Sequence, residues 1–145
     1  MRREFSAGGV VVRRLRGEWM LAAIRPEGKD NVWALPKGLI GAGESTADTA
    51  VREVVEETGV QTRLVEKLGD VRYVYTWRGE RVFKIVSFFL LRYTRGRLDD
   101  LPAAHRHEVA EARWLPLEDA PRLLTYKGER EMAERALQIC ARRAL

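Results

Sequence analysis

The feature of this chain that most restricts its fold is a change of hydrophobic period between residues 45 and 59. Ser45 is a suitable N-cap, Asp48 completes a shortened capping box, and Gly59 is a suitable helix stop. The apolar residues between them that recur with helical spacing are Ala47, Ala50, Val51 and Val54. The sequence therefore predicts an amphipathic helix over about residues 46–58.

Extended segments lie on both sides of this helix. The predicted strands are 8–14, 19–25, 61–68, 71–77, 82–92 and 112–115, with a short extended piece at 33–38. Further helices are predicted over 117–124 and 129–144. Elements in this order predict an α/β or α+β sandwich, in which helices cover a mixed sheet.

Length and composition narrow the class of protein. A chain of 145 residues is near the common size of one domain, so we expect a single domain over residues 1–145. One cysteine cannot form an internal disulfide, and no Cys/His cluster has zinc-binding spacing. The hydrophobic fraction of 46% excludes collagen-like and disordered chains.

Hydropathy and charge bear on location and partners. The longest apolar stretch, residues 85–91, is far shorter than the roughly 18 residues of a membrane span, so we expect a cytoplasmic protein with no membrane partner. The net charge of +5 favours anionic partners such as nucleotides. No RNA-binding motif accompanies this charge, so a nucleic-acid partner is not expected.

One face of the predicted helix is acidic. Glu53, Glu56 and Glu57 stand at i, i+3 and i+4, so their carboxylates project together. Arg52 lies one turn before Glu56 and can pair with it. Such a face is either a solvated surface or a site for a hard divalent cation, because Mg²⁺ and Mn²⁺ prefer oxygen ligands. The helix alone leaves both interpretations open.

A longer pattern favours the second interpretation. Residues 38–60 read G-x5-E-x7-R-E-U-x-E-E-x-G-U, where U is aliphatic. The nine specified positions are Gly38, Glu44, Arg52, Glu53, Val54, Glu56, Glu57, Gly59 and Val60. This segment resembles the Nudix box at every specified position, a match expected by chance on the order of 10⁻⁷ to 10⁻⁸ per window.

The resemblance implies a fold and a reaction. The fold is the Nudix-like α/β/α sandwich with a mixed β-sheet between helices, and the reaction is the MutT-like hydrolysis of a nucleoside diphosphate linked to another moiety. By resemblance, Glu56 and Glu57 ligate Mg²⁺, or Mn²⁺ in its place, and the Gly38 carbonyl adds a ligand. Glu53 is a further ligand or the general base.

The same resemblance implies supporting residues. Arg52 orients the glutamates, and Glu44 supports them without being a ligand itself. A further ligand or base in this family often comes from a glutamate on a late loop. We assign this role to Glu108, with Glu111 as the rival; for either residue the alternative is a solvated loop acid.

The residues just before the box bear on the substrate. Pro36-Lys37-Gly38 looks like the diadenosine polyphosphate hydrolase group, and also like some members that hydrolyse nucleoside triphosphates. Lys37 offers a point charge to an additional phosphate, unless it is an ordinary surface lysine. The expected substrate is therefore a dinucleoside polyphosphate, bound by a monomer or a homodimer.

A predicted hairpin supplies further candidates for binding. Tyr73 and Tyr75 share one strand face with Trp77, and one or more of these rings could stack on an adenine. Lys84 and Arg81, across the hairpin, could meet distal phosphates. An ordinary place on the sheet surface is the alternative for each residue.

Three more residues are interpreted from their surroundings. His105 and His107 are expected at the surface, with phosphate contact as the alternative, and Cys140 is expected in the core.

Two other functions stay open. The first keeps the chemistry and changes the substrate to a nucleoside triphosphate, an oxidised one, ADP-ribose, a diphosphoinositol polyphosphate or 5′-triphosphate RNA. The second is a non-catalytic module that binds a nucleotide or RNA, for which loss of box glutamates is expected; all four are present.

Overall fold

Six strands and three helices make up the computed structural model, which describes all 145 residues. The strands are β1 (Arg2–Leu15), β2 (Glu18–Pro26), β3 (Lys37–Leu39), β4 (Gln61–Trp77), β5 (Glu80–Arg95) and β6 (Val109–Pro116). The helices are α1 (Thr46–Thr58), α2 (Ala120–Leu123) and α3 (Lys127–Arg142). None of the helices is long and apolar enough to cross a membrane.

All six strands belong to one sheet, which has the order β4-β5-β1-β2-β6. The central strand β1 runs parallel to β5 over residues 2–12 and antiparallel to β2 over residues 12–15. The short strand β3 pairs with residues 6–8 of β1. The sheet is therefore mixed, which confirms the prediction.

Each face of the sheet is covered by a helix, because successive side chains of a strand point to opposite faces. Val10 and Val12 of β1 belong to the core beneath α3, whereas Ala7 and Val11 belong to the core beneath α1. The helix residues that complete these cores are Met132, Ala136 and Cys140 of α3, and Ala50 and Val54 of α1. This arrangement confirms the α/β/α sandwich and the buried position of Cys140.

The ends of α1 are where the sequence predicts them. The Ser45 side chain accepts a hydrogen bond of 3.1 Å from the Asp48 backbone N–H, as an N-cap does. Gly59 adopts a left-handed conformation (φ 85°), and its N–H donates to the Val55 carbonyl. These two contacts satisfy backbone groups that the helix would otherwise leave without partners.

The prediction of two strands over 61–68 and 71–77 is wrong, because β4 runs through both. Gly69 and Asp70 lie inside this strand, which pairs with β5 along its whole length. Shifts of register between Leu64 and Glu66 and between Lys67 and Gly69 absorb the extra residues as bulges. A glycine that reads as a strand end in the sequence marks a bulge in the sheet.

Most other boundaries differ from the predictions by one to three residues, and two of the differences have a clear cause. The helix predicted over 117–124 is shortened to α2, because the Leu117 N–H donates to the Trp19 carbonyl at 2.9 Å and Leu124 has an extended backbone. Strand β1 begins at Arg2 rather than at residue 8, since parallel pairing with β5 continues to that point. Both differences come from pairing between distant segments, which local patterns do not contain.

Strand β3 is placed by a close approach to β1. A Cβ at Gly8 would overlap the Pro36 carbonyl oxygen and lie 2.6 Å from the Lys37 Cβ, so only glycine fits there. This approach brings Lys37 to the α3 side of the sheet and Gly38 against Glu53 of α1. The two functional regions described below therefore meet at β3.

Candidate active site

The acidic face of α1 is held together by one arginine. The Arg52 Nη1 atom lies 3.0 Å from Glu53 Oε1 and 2.8 Å from Glu56 Oε1. Ala50 and Val54, on the opposite side of α1, are buried against the sheet and fix the direction in which this face points. The predicted clustering of these carboxylates is therefore present, with a guanidinium between them.

Glu44 fixes Arg52 from the other side. Its carboxylate accepts hydrogen bonds from Arg52 Nε at 2.8 Å and Arg52 Nη2 at 2.9 Å. It also accepts bonds of 2.9 Å from the Thr49 hydroxyl and the Gly41 backbone N–H. The Arg52 and Thr49 bonds in particular hold the pKa of Glu44 well below its usual range, at about 2. Glu44 therefore acts on the other glutamates through Arg52.

Glu57 lies deeper than the other carboxylates and accepts a 2.9 Å hydrogen bond from the Lys37 backbone N–H. Burial raises the pKa of Glu57 to about 8, and the charge of Glu53 adds to that effect. Burial also raises the pKa of Glu53, with a second contribution from the charge of Glu56. These carboxylates are thus crowded in a poorly solvated place, where a cation would stabilise their charged forms.

Gly38 leaves room for this cluster. A Cβ at residue 38 would overlap the Glu53 carboxylate, so the chain passes closer to Glu53 than any other residue type allows. No three of the protein's His, Cys, Asp or Glu side chains already converge as a ready-made metal site, and Arg52 bridges Glu53 and Glu56. The donor set nevertheless fits a hard divalent cation, since it consists of carboxylate oxygens beside a loop of the main chain.

A late loop adds one imidazole and one carboxylate to the cluster. The His105 Nε2 atom lies 3.5 Å from Glu56 Oε1, and its Nδ1 lies 3.1 Å from Glu108 Oε1. The bond to Glu108 raises the pKa of His105. Glu111 is directed elsewhere, because its carboxylate pairs with Arg25 at 3.1 Å and Arg113 at 2.7 Å. The structure therefore brings Glu108, and not Glu111, to the acidic face of α1.

A cleft of about 830 Å³ opens on the α3 side of β3. The predicted binding residues that line it are Lys37, Tyr73, Tyr75 and Lys84, and the other charged or aromatic side chains around it, apart from Phe88, are Lys29, Asp70, Arg72, Tyr126, Lys127, Glu129 and Glu131. Arg81 does not line the cleft. It is an odd number of residues from Lys84 on the same strand, so the alternation of β5 points it to the opposite face.

The aromatic and basic residues of the cleft have defined partners. The Tyr75 hydroxyl donates to Glu4, and the Tyr73 and Tyr75 ring centroids are 6.1 Å apart. Trp77, the third aromatic residue of this face, is half exposed near the hairpin turn and does not line the cleft. Burial lowers the pKa of Lys84. The cleft thus offers flat rings and positive charge within one surface.

Comparison with known proteins identifies the family. The family profile described as the NUDIX domain matches residues 3–136. The chain belongs to the Nudix hydrolase family.

A Mycobacterium tuberculosis protein that carries the name MutT4 is 39% identical over 136 residues, which are 90% of this chain and 53% of that protein. The RNA pyrophosphohydrolase of Erythrobacter litoralis is 30% identical over 129 residues, covering 80% of this chain and 78% of that enzyme. The chain thus spans about half the length of one of these relatives and most of the other.

Solved structures share the fold of this Nudix protein. The binary complex of the Caenorhabditis elegans Ap4A hydrolase superposes with a TM-score of 0.75 at 23% identity, covering 95% of this chain and 98% of that one. The NUDIX domain of Shewanella oneidensis NrtR, complexed with ADP ribose, superposes with a TM-score of 0.74 at 17% identity and covers 95% and 88% of the two chains. At these identities the likeness establishes the architecture alone.

The structure adds two residues to the candidate site that sequence reasoning does not identify. His105 is partly buried between Glu56 and Glu108 and is not a free surface histidine, although His107 is exposed as expected. Glu129 is 4% exposed and pairs with Lys37. The sequence does contain a sign that Glu129 has a partner. Glu129 belongs to the buried side of α3, where a carboxylate without a partner would be costly. No local signal links His105 to α1.

Proposed function

We propose that this Nudix protein is a Mg²⁺-dependent hydrolase of phosphoric anhydride bonds whose preferred substrates are dinucleoside polyphosphates. The observation that supports this proposal most is the junction at β3. There the backbone N–H of Lys37 donates to Glu57, while the side chain of Lys37 reaches into the cleft. A phosphate chain lying across β3 would meet the carboxylate cluster and the cationic cleft at the same time.

Glu53, Glu56, Glu57 and the Gly38 carbonyl would hold the divalent cation. A bound Mg²⁺ or Mn²⁺ neutralises phosphate charge and acidifies water. The Arg52 guanidinium donates hydrogen bonds to Glu53 and Glu56, and it also donates two hydrogen bonds to Glu44. A bound cation would neutralise part of the charge of Glu53 and Glu56 that Arg52 balances in its absence. The two hydrogen bonds to Glu44 would still hold Arg52 beside the cluster.

Glu108 would accept the proton of the attacking water. Its carboxylate is 40% exposed, so water reaches it, and the 3.1 Å contact with His105 restrains its position. His105 in turn contacts Glu56, which ties the late loop to α1. Glu53 is the second candidate for the base, since it lies in the same cluster and its pKa is raised by burial.

The cleft supports a substrate with a nucleoside at some distance from the cleaved bond. Tyr73 and Tyr75 present rings for a base, and Lys37 and Lys84 line the same cleft. Extra phosphates would be matched by the ammonium groups of these two lysines. The fold shared with the C. elegans Ap4A hydrolase over nearly its whole length is consistent with this substrate class.

A second candidate substrate is the 5′-triphosphate end of RNA. It is favoured by the 30% identity to the RNA pyrophosphohydrolase of Erythrobacter litoralis over 78% of that enzyme. The chemistry and the cluster residues would be the same for this substrate. Only the occupant of the cleft would differ, because an RNA end carries its first base close to the cleaved anhydride.

A substrate panel tests the proposal. The panel contains diadenosine tetraphosphate, ATP, oxidised dGTP, ADP-ribose and a 5′-triphosphate RNA, each with Mg²⁺ and with EDTA, and the products are separated by anion exchange. We expect the highest kcat/KM for diadenosine tetraphosphate, which takes up one water and yields ATP and AMP. Preferred cleavage of the RNA would replace the substrate by the second candidate. Turnover that persists in EDTA would contradict the role of the carboxylate cluster.

A further inference from the structure

A group of arginines lies at the end of the sheet remote from the cleft. Arg63 of β4 and Arg92 of β5 are directly opposite each other in the antiparallel register. Arg14 of β1 and Trp19 of β2 are opposite each other in the same way. Arg92 also pairs in register with Val12, whose side chain lies on the α3 side, so all four side chains share that face. We refer to Arg14, Trp19, Arg63 and Arg92 as the arginine patch.

The arginines of the patch have no acidic partner. No carboxylate lies within 4.0 Å of any of the three guanidiniums, although eight of the protein's other arginines have such partners. The nearby Glu66 is engaged by Arg143. Burial and then the charges of Arg63, Arg13 and Arg14 lower the pKa of Arg92. Like charges directly opposite each other destabilise a sheet. Arg63 and Arg92 therefore repel each other in the folded protein, and no carboxylate offsets this repulsion.

Trp19 gives the patch an aromatic centre. The Arg92 Cζ lies 5.1 Å from its ring centroid and the Arg14 Cζ lies 5.4 Å from it, so two guanidiniums border one indole. Trp19 packs against the core beneath α3 and is only partly buried. An indole beside guanidiniums that no carboxylate neutralises combines the two features by which proteins hold single strands, which are positive charge for phosphates and an aromatic ring for bases.

We propose that the arginine patch is a second binding site, which takes the phosphodiester backbone of single-stranded RNA. Arg14 donates to the Gly17 carbonyl at 3.0 Å and Arg92 to the Val12 carbonyl at 3.4 Å, but no carboxylate neutralises any of the three guanidiniums. Their charges therefore match consecutive phosphates, and bound phosphates relieve the repulsion between Arg63 and Arg92. The indole of Trp19 favours a nucleic acid over an acidic protein segment, because a base has a flat face to stack on it.

The patch is separate from the candidate active site. The cleft is lined by the first turn of α3, whereas Arg92 lies near Cys140 at the other end of that helix. Helix α3 has 16 residues, so the two sites are roughly 20 Å apart at a rise of about 1.5 Å per residue. Binding at the patch therefore requires neither a terminal phosphate nor a metal, and its test does not depend on the proposed reaction.

The test measures fluorescence anisotropy of an oligouridylate of about 15 nucleotides with a 5′-hydroxyl end, in EDTA and at several salt concentrations. This probe has no anhydride and is not a substrate. We expect saturable binding by the wild type, with a slope of log affinity against log salt of about −2 for three phosphate contacts. R14Q/R63Q/R92Q should bind tenfold or more weakly at low salt, with a nearly flat salt dependence, and should hydrolyse the preferred small substrate like the wild type.

The matched control is R3Q/R78Q/R122Q, which removes the same charge from three exposed arginines outside the patch. We expect it to bind the probe within twofold of the wild type. Equal losses in the two triple variants, or no binding by the wild type at low salt, would overturn the proposal. A polyglutamate peptide that displaces the probe as well as unlabelled RNA does would assign the patch to an acidic protein segment instead.

A single variant covers the case in which the triple variant does not fold. Arg63 is exposed, so R63Q removes one charge without opening the core. We expect the salt slope of R63Q to fall by about 0.7, which corresponds to one phosphate contact on a single strand. An unchanged slope in folded R63Q would overturn the assignment of Arg63 to the site.

Discussion

The Lys37 ammonium lies 3.0 Å from the Glu129 carboxylate, and this ion pair joins β3 to the first turn of α3. Glu129 also accepts a 2.8 Å hydrogen bond from the Leu35 backbone N–H. It therefore contacts the residues immediately before and after Pro36. Burial lowers the pKa of Lys37, but the charge and hydrogen bond of Glu129, together with the charge of Glu57, raise this pKa overall. Lys37 therefore stays charged and directed into the cleft.

The ion pair between Lys37 and Glu129 predicts that Glu129 affects substrate binding only through Lys37. K37M should lower kcat/KM for diadenosine tetraphosphate by about tenfold or more, the value of one hydrogen bond to a charged group. E129Q keeps an acceptor for Leu35 but loses the ion pair, and it should cause a similar loss. The double variant K37M/E129Q should be no worse than K37M. Steady-state kinetics of the four proteins measure this coupling.

A purely structural Glu129 would give a different pattern. Its effects on kcat/KM would then add to those of K37M, and the loss would accompany a lower melting temperature. Q138E and E134Q, which alter charge on exposed α3 positions outside the cleft, show how much of any change comes from surface charge alone.

Glu108 and Glu111 provide a matched pair of substitutions on the late loop and strand. E108Q should lower kcat by about 10²-fold or more, because it removes the group assigned to take the proton from water. E111Q should change kcat little, since Glu111 is engaged by Arg25 and Arg113 outside the cluster. Equal rates for E108Q and wild type, with a large loss in E53Q, would move the base to Glu53.

The interaction of Glu44 with Arg52 predicts a pH-dependent contribution to stability. The pKa of Glu44 is lowered from 4.5 to about 2 by its hydrogen bonds, chiefly those to Arg52 and Thr49. A lowered folded-state pKa stabilises the fold fully above pH 4.5, and this stabilisation is lost as the pH falls through about 2. Thermal unfolding should show E44Q to be less stable than wild type at pH 7, with the difference shrinking below pH 4.5. A difference that is constant over pH 3–7 would contradict this account.

The thiol of Cys140 is predicted to be unreactive in the folded protein. Burial raises its pKa to about 11, and the side chain is 6% exposed in the core beneath α3. A thiol reagent at pH 8 should leave it unmodified in native protein and modify it fully in denaturant. Mass spectrometry before and after unfolding measures both states, and rapid modification of the folded protein would contradict the burial.

The acidic helix illustrates what the sequence could predict. Its ends and its carboxylate face follow from spacing within 15 residues, so Ser45, Gly59 and Glu53 were assigned from local pattern. The strand alternation likewise placed Tyr73 and Tyr75 together. In each case the contact partners lie within one element or two adjacent ones, and local spacing determines the geometry.

Residues that act through distant contacts could not be assigned in this way. Glu129 meets Lys37 across 92 positions of the chain, and His105 meets Glu56 across 49. The prediction for Arg81 fails for a different, local reason, because the alternation of β5 directs Arg81 and Lys84 to opposite faces of the sheet. The continuity of β4 through Gly69 depends on its pairing with β5, which a single segment does not reveal.

The most direct test of the central claim is the hydrolysis of diadenosine tetraphosphate by wild type, E56Q and E57Q in Mg²⁺. The exposed Glu134 gives the control variant E134Q, and circular dichroism confirms that all four proteins are folded. We predict that E56Q and E57Q each lower kcat by at least about 100-fold, since each removes a proposed cation ligand, whose loss would cost several kcal/mol in the transition state. We predict no change for E134Q. Activity near the wild-type value in folded E56Q or E57Q would contradict the assignment of the α1 carboxylates as the catalytic metal site.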